Sequence, residues 1–304
     1  PPDSFLRFPE FSLRGLLWRY QRYYIHFTMA VRLWQYSQRL QAHGFLGTMN
    51  KMEGNRMKAF LSPAKNMRAA PAMPQGMPEA TAPRFLYKTE GLAARLKSRA
   101  PYELESILQT SPPIALRAAA LYQDWTNEGG APAILAYDGL AYKYLEAETL
   151  LPADLRFAQD NLRLFSGFYG PLRPLDAIRP YRLELAHKLD GQSLYDFWGR
   201  AFYDDLFGDG DGIAVNLASN EYSKAVRPYL QPSDRMITCE FLTYRKGKLR
   251  CLATAAKMAR GRMARYIIQN RIESPEQLTF FDWNDFQYEQ SLSDNNTLTF
   301  ISRA

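Results

Sequence analysis

Three short apolar runs in this chain end in polar side chains of the kind that carry out chemistry. Lys58-Ala59-Phe60-Leu61 leads into Ser62-Pro63-Ala64-Lys65. Ala133-Ile134-Leu135-Ala136-Tyr137 ends at Asp138-Gly139, and Ile213-Ala214-Val215-Asn216-Leu217 leads to Ser219 and Glu221. Side chains at the ends of rigid elements are held where flexible loops can complete a site. Lys65 beside the carboxylates of Asp138 and Glu221 could act as nucleophile or base if burial lowered its pKa, and Ser62, Asn216 and Ser219 would line the same pocket. The same three groups could equally form a structural ion pair, and spacing alone does not choose between the two. Other chemistries are absent from the motif inventory: there is no GxxxxGK[ST] phosphate loop, no GxSxG elbow and no HExxH zinc site. His187 is the sole histidine after His43, which excludes multi-histidine metal centres from the body of the chain. No cofactor is expected.

A second feature is electrostatic. Residues 241–272 carry nine positive side chains (Arg245, Lys246, Lys248, Arg250, Lys257, Arg260, Arg262, Arg265 and Arg271) and no Asp or Glu. The 304-residue chain has a formal charge of +7, but the first 56 residues hold eight Lys or Arg against three acids, leaving 30 against 28 in the remainder. The body is therefore near charge balance, and the run stands out as a local anion-binding feature, suited to the phosphates of a nucleic acid, with a solvated helix face beside an exposed hairpin as the alternative. Lys246, Lys248 and Arg250 would flank a duplex from a hairpin. Lys257, Arg260, Arg262 and Arg265 would line a cleft from the following helix, with Ala259, Met263, Tyr266 and Ile267 as its buried stripe.

The elements that must position these groups follow from periodicity and turn chemistry. Strands are expected at 58–61, 133–137 and 213–217, and a strand-and-turn segment from Leu164. Helical spacing marks Phe85 to Leu108, Ile114 to Tyr122, Tyr142–Leu150, Pro152–Leu162, Tyr195–Phe207 and Ala255–Asn270. Met236–Tyr244 and Lys248–Thr254 read as a hairpin turning at Lys246-Gly247-Lys248, and Phe286–Ser291 with Thr297–Ile301 as another. With 46% hydrophobic and 23% charged residues, no repeat and no linker, the body (57–304) reads as one mixed α+β domain. Cys239 and Cys251 have no metal-ligand spacing and are expected as two buried free thiols. No run of 18 apolar residues exists, so no membrane partner is expected and the default compartment is the cytoplasm. Residues 1–56 lack helical caps, and Met52-Glu53-Gly54-Asn55-Arg56-Met57 can be encoded by a purine-rich ribosome-binding sequence ahead of an ATG at Met57. Translated upstream DNA is the expectation for this segment, with a genuine basic arm as the alternative.

Longer motifs add to this reading. Ser62-Pro63-Ala64-Lys65, Asp138-Gly139 with Glu146-Ala147-Glu148-Thr149, the run from Leu164 to Asp176, Pro180-Tyr181-Arg182-Leu183-Glu184, Leu194 to Gly199, Asn216 to Tyr222, and Lys257-Met258-Ala259-Arg260-Gly261 with Arg265 and Ile268 to Arg271 resemble, in order, the bacterial peroxide-stress protein YaaA family. The resemblance spans essentially Met57 to the C-terminus and finds no counterpart for residues 1–56. It implies a cytosolic DNA-binding protein of the peroxide response that limits free iron and oxidative DNA damage. It also implies a positively charged cleft and a helix-hairpin-helix-like element, placed here at Leu164–Asp176 with Gly167, Tyr169, Gly170 and Arg173 contacting DNA. Those two glycines are separated by two residues where the usual hairpin has one. The rival reading is an enzyme acting on a nucleobase or nucleotide through Lys65, Asp138 and Glu221.

Overall fold

Strand Met57–Leu61 (β1) is apolar along its whole length except for Lys58, and every one of its residues is buried. A strand hidden on both faces belongs in the interior of a parallel sheet, and there the computed structural model places it. The structure describes residues 57–208 and 212–303, so the expectation for residues 1–56 lies outside the described residues. β1 lies between Leu162–Ser166 (β2) and Ile213–Asn216 (β4), parallel to both. Arg235–Arg245 (β5) follows parallel to β4, and Thr297–Ser302 (β9) parallel to β5. The edges are antiparallel. Gly170–Leu172 (β3) folds back on β2, Lys248–Arg250 (β6) on β5, and Phe286–Tyr288 (β8) with Asp282–Trp283 (β7) closes the far side next to β9. The sheet thus reads β3-β2-β1-β4-β5-β9-β8-β7.

This arrangement corrects the expected α+β class. Five parallel strands joined through helical segments make the fold mixed α/β, because β1 pairs with strands that lie far along the chain and not with its sequence neighbours. Helices Leu86–Lys97 (α1), Pro101–Leu108 (α2) and Pro112–Gln123 (α3) pack mainly on one another, whereas Leu140–Leu145 (α4), Pro152–Asn161 (α5) and the 17-residue Ala253–Gln269 (α8) form a second group, with α5 on β1 and β2 and α8 on β5. The amphipathic stretch from Tyr195 to Phe207 is two helices, Leu194–Trp198 (α6) and Ala201–Phe207 (α7), because Gly199 takes φ +52° between them. The apolar run 133–137 is a helical turn, Ala133–Ala136, followed by a two-residue strand, Tyr137–Asp138, paired with Asn66–Met67. A short continuous apolar run suits either geometry when both sides are buried.

Along β1 and β2, Lys58, Phe60, Arg163 and Phe165 share a face. Phe60 stacks on Phe165 at 4.6 Å between ring centroids, and Phe165 meets Phe202 of α7 at 4.5 Å. Lys58 Nζ donates to the Asp205 carbonyl (2.9 Å) and Arg163 Nε to the Asp205 carboxylate (2.5 Å), so α7 covers this face with rings and a buried ion pair together.

The segment Leu164–Asp176 is a β-hairpin and not a helix-hairpin-helix element. β2 turns through Gly167-Phe168-Tyr169 into β3, and the Ser166 hydroxyl accepts from the amides of Phe168 and Tyr169 to hold the turn. All residues from Leu164 to Leu172 are buried. A Cβ on Gly167 would meet the Leu183 carbonyl at 2.6 Å, and one on Gly170, at φ +76°, would meet the Trp198 ring at the same distance. The glycines are there for close protein packing, with no room for a phosphate. Tyr169 Oη accepts from Trp125 Nε1 and the Arg179 amide, both at 3.0 Å, while Arg173 pairs with Asp176. Gly167, Tyr169 and Gly170 are thus closed off from DNA, correcting the contacts expected of them.

Candidate functional site

The carboxyl ends of β1 and β4, adjacent and parallel, open into a cavity of about 490 Å³. In open α/β sheets the crevice beyond the carboxyl ends of the strands is the usual ligand site, since loops diverge there from a rigid edge. Ser62–Asn66 leaves β1 into one wall and Leu217–Tyr222 leaves β4 into another; Asp138–Tyr142, Tyr181–Glu184 and two side chains of α8, Lys257 and Arg260, complete the lining. Ser62, Lys65, Asp138, Ser219, Glu221, Lys257 and Arg260, from four separate stretches of sequence, therefore meet in one place.

The walls are tied by hydrogen bonds. Ser62 Oγ accepts from the Ser219 amide (2.8 Å), and Tyr142 Oη donates to the Ser62 carbonyl (3.0 Å). Beneath them Tyr181 Oη takes a bond from Ser166 Oγ (2.7 Å) and lies 2.8 Å from Tyr137 Oη. Burial pushes the phenols of Tyr137, Tyr142, Tyr181 and Tyr222 up, so all four are neutral donors at physiological pH. Asn216 does not reach the cavity. It is buried at the end of β4, where its Oδ1 accepts from the Ala218 amide (2.9 Å) and shapes the turn that carries Ser219 and Glu221.

Lys65 Nζ is 2.8 Å from Glu184 Oε2, and its side chain is 63% exposed against 17% for Glu184. Glu184 Oε1 in turn lies 2.9 Å from Arg182 Nε, in contact but outside hydrogen-bond alignment. His187 Nδ1 accepts from the Glu184 amide (3.1 Å), which leaves Nε2 carrying the proton of the neutral ring, 3.9 Å from Glu184 Oε2. Burial lowers the His187 pKa more than the Glu184 carboxylate raises it, so the ring is neutral at pH 7. Glu184 is thus the hub of the lysine side of the site. Glu184 and Arg182 escape the sequence reading, their one signal being their place in the Pro180–Glu184 motif, which by itself carries no chemical signature, and His187 enters that reading only as the sole histidine of the body.

Glu221 accepts from the Ala186 amide (3.2 Å), and burial, with some help from the Glu184 charge, raises its carboxyl above the usual range. A folded-state pKa above the unfolded value means that the native protein binds more protons between the two, so stability falls as pH rises through that window, upward from about 4.3. Glu221→Gln keeps an acceptor for Ala186 and removes the titration. Its Tm relative to wild type should therefore increase from pH 4 to pH 7. Parallel Tm profiles for the two proteins would contradict this placement of Glu221. Asp138 sits at the cavity rim, half-buried and 3.6 Å from Lys143 Nζ.

The basic run divides into three fates. Arg262 forms a two-point ion pair with Glu146 (2.6 and 3.1 Å), and Arg265 reaches the same carboxylate at 3.7 Å while donating to the Leu145 and Glu146 carbonyls. Glu146 stands at φ +53° just past α4, so these two arginines fasten α8 to the end of α4 and do not line a cleft. Arg271 likewise pairs with Asp154. Lys257 and Arg260 face the cavity. Arg245, Lys246, Lys248 and Arg250 project from the β5–β6 hairpin, whose residues 244–250 are all exposed. Both thiols are free. Cys239 is buried and pushed up to about 12, whereas Cys251 is exposed, against the expectation that both are buried. Among the described residues no three of His, Cys, Asp and Glu are grouped to hold a metal ion, and no helix is long and apolar enough to cross a membrane.

Parallel-cored α/β architecture with a charged cavity at the strand ends defines the general class. Within it, the chain belongs to the peroxide stress protein YaaA family, which it matches over residues 57–292. It is 40% identical over 256 residues to a UPF0246 protein of Verminephrobacter eiseniae, covering 80% of this chain and 97% of that one, and 40% identical over 254 residues to a UPF0246 protein of Lactobacillus johnsonii (82% and 98%). A UPF0246 protein of Ligilactobacillus salivarius is 39% identical over 249 residues (81% and 99%).

Proposed function

We propose that this peroxide-stress protein binds DNA through the β5–β6 hairpin and thereby limits iron-driven oxidative damage to it. One observation carries the reading. Arg245 and Lys248 stand directly opposite each other in the ladder, with Lys246 in the turn and Arg250 across from Thr243. Like charges facing across a ladder destabilise it, and none of these four has an acidic partner among the described residues. A repulsive ribbon of this kind is suited to a polyanion, where each cation on a phosphate releases a counterion. The contact is to backbone and shape, with no base-reading motif required. Arg262 and Arg265, occupied by Glu146, are left out of the interface.

The test is duplex binding as a function of salt. Lys246→Asn, Lys248→Gln and Arg250→Gln together should weaken binding equally for unrelated sequences, and the slope of log K against log salt should shrink by up to about three. Asn is chosen at 246 because that residue sits at φ +51°, which Asn tolerates. Unchanged affinity and slope would overturn the assignment to the hairpin. A second reading, lysine-dependent chemistry on a nucleobase, is favoured by the place of Lys65 in the cavity lining together with Asp138 and Glu221. Borohydride trapping with base-damaged DNA tests it: an adduct lost in Lys65→Ala supports the covalent form, and no adduct removes it.

A further inference from the structure

The charges lining the cavity do not balance where they stand. Lys65 and Arg182 share Glu184, and Asp138 is near Lys143, which lies outside the cavity lining. Glu221 is bonded to the Ala186 amide, and among the described residues no carboxylate lies within ion-pair distance of Lys257 or Arg260 on the α8 wall. Arg260 is largely shielded, and its Nε, like those of Arg68, Arg99, Arg182 and Arg262, has no hydrogen-bond partner among the described residues; unlike those four, Arg260 has no paired carboxylate either. Burying a guanidinium with an idle N–H is costly unless something not belonging to the chain completes it. Tyr222 stands in the same condition. It lines the cavity, is buried, and among the described residues its Oη makes no hydrogen bond of normal geometry, although Tyr181, Glu221, Glu184 and the Leu185 backbone are close enough to act on it.

The two idle donors are of different kinds. The Lys257–Arg260 side calls for an anion with several oxygens, which a guanidinium recognises through its forked N–H groups. The Tyr222 side, next to Glu221, offers a neutral O–H donor and a carboxyl acceptor within an aromatic wall that also holds Tyr142 and Tyr181. A flat ring with both hydrogen-bond donors and acceptors on its edge fits that surface. Arg260 also connects the cavity to the hairpin, since its charge is felt by Glu240 of β5 and by Cys251 just after β6.

We propose that the cavity is a nucleotide site, in which Lys257 and Arg260 hold a single phosphate and Tyr222 with Glu221 receives the edge of the base. The choice of a nucleotide among ring-bearing anions rests on the DNA-binding reading above; the need for an anion and an acceptor does not. The same chemistry is supplied by a free nucleoside monophosphate or by one nucleotide turned out of a strand.

Calorimetry on the full chain separates the possibilities, with inorganic phosphate, the four deoxynucleoside 5′-monophosphates, the corresponding nucleosides and a short single strand as probes. At least one monophosphate should bind ten-fold or more tightly than inorganic phosphate and than its own nucleoside. Lys257→Gln and Arg260→Lys should each weaken it by five-fold or more, with phosphate-free nucleoside affinity unchanged. Tyr222→Phe should reduce discrimination among bases without altering phosphate affinity. A single strand binding more tightly than every monophosphate would assign the nucleotide to DNA, and the reverse to the free pool. The hairpin triple variant should retain monophosphate binding while losing duplex, so failure of duplex binding alone leaves the cavity assignment standing. Monophosphates that bind no better than phosphate, or that bind Arg260→Lys and Lys257→Gln as tightly as wild type, would overturn it.

Discussion

Gly261→Ala should lower the Tm by about 2–12 °C, and Gly261→Val should leave little folded protein. Gly261 lies in α8 directly after Arg260, where α8 crosses α4. A Cβ there would fall 2.0 Å from the Ala141 carbonyl oxygen and 2.8 Å from its carbon. Both are backbone atoms, which cannot swing aside as a side chain can. Overpacking of this sort costs about 1–3 kcal/mol and sometimes more, and each kcal/mol moves the Tm of a chain this size by about 2–4 °C. The helices must approach this closely because Glu146, at the end of α4, is gripped by Arg262 and Arg265 on either side of the same turn. They also carry facing walls of the cavity, so any separation of α4 from α8 parts Leu140–Tyr142 from Lys257 and Arg260. Gly91→Ala is the matched control, because its added Cβ meets nothing within 4 Å in the middle of α1. It should be neutral or stabilising by about 0.4–1 kcal/mol. Thermal unfolding of the two variants side by side decides the matter, and equal Tm values for Gly261→Ala and wild type would refute the close crossing.

Asp205→Ala is expected to cost about 3–5 kcal/mol, the usual loss when one partner of a buried ion pair is removed. Asp205 and Arg163 are both 9% exposed, and Arg84 approaches the same carboxylate from the surface at 3.6 Å. Without Asp205, the Arg163 guanidinium keeps only carbonyl partners, those of Gln159, Asp160 and Leu162, on a face otherwise filled by Phe60, Phe165 and Phe202. The double variant Arg163→Met/Asp205→Ala removes the stranded charge, so it should be less destabilised than the sum of the two single changes. Urea unfolding of the four proteins gives the coupling directly. Simple additivity would mean that the pair contributes nothing as a pair.

How much of this could be read beforehand follows from what each signal depends on. The β5–β6 hairpin was legible because Lys246-Gly247 is a local turn signature, and both residues do take positive φ, 51° and 74°. Helices α5 and α8 were legible from their periodicity. Lys65, Asp138 and Glu221 are marked out by lying at the ends of apolar runs; Lys65 and Glu221 meet because β1 and β4 are parallel neighbours whose loops leave the same edge of the sheet, whereas Asp138 arrives from a helical turn and a separate two-residue strand. Strand order was not legible. Nothing in Met57–Leu61 states that its neighbours are Leu162–Ser166 and Ile213–Asn216. The fates of Arg260 and Arg262 were not legible either, since two residues of rotation on one helix separate the cavity from Glu146. Glycine spacing near 167–170 was misleading because close packing against Leu183 and Trp198 demands the same residue as close approach to a phosphate.

The order of the parallel strands also bears on how the protein is made. β1 leaves the ribosome about 100 residues before β2 and about 155 before β4, the two strands that flank it. At about 5–20 residues per second, a largely apolar five-residue segment therefore waits about 5–30 seconds without a partner. The last cavity residue, Arg260, is synthesised later still. Pairings this distant in sequence make folding slow, so the site is completed only late in synthesis, and until then the waiting strand is exposed to aggregation.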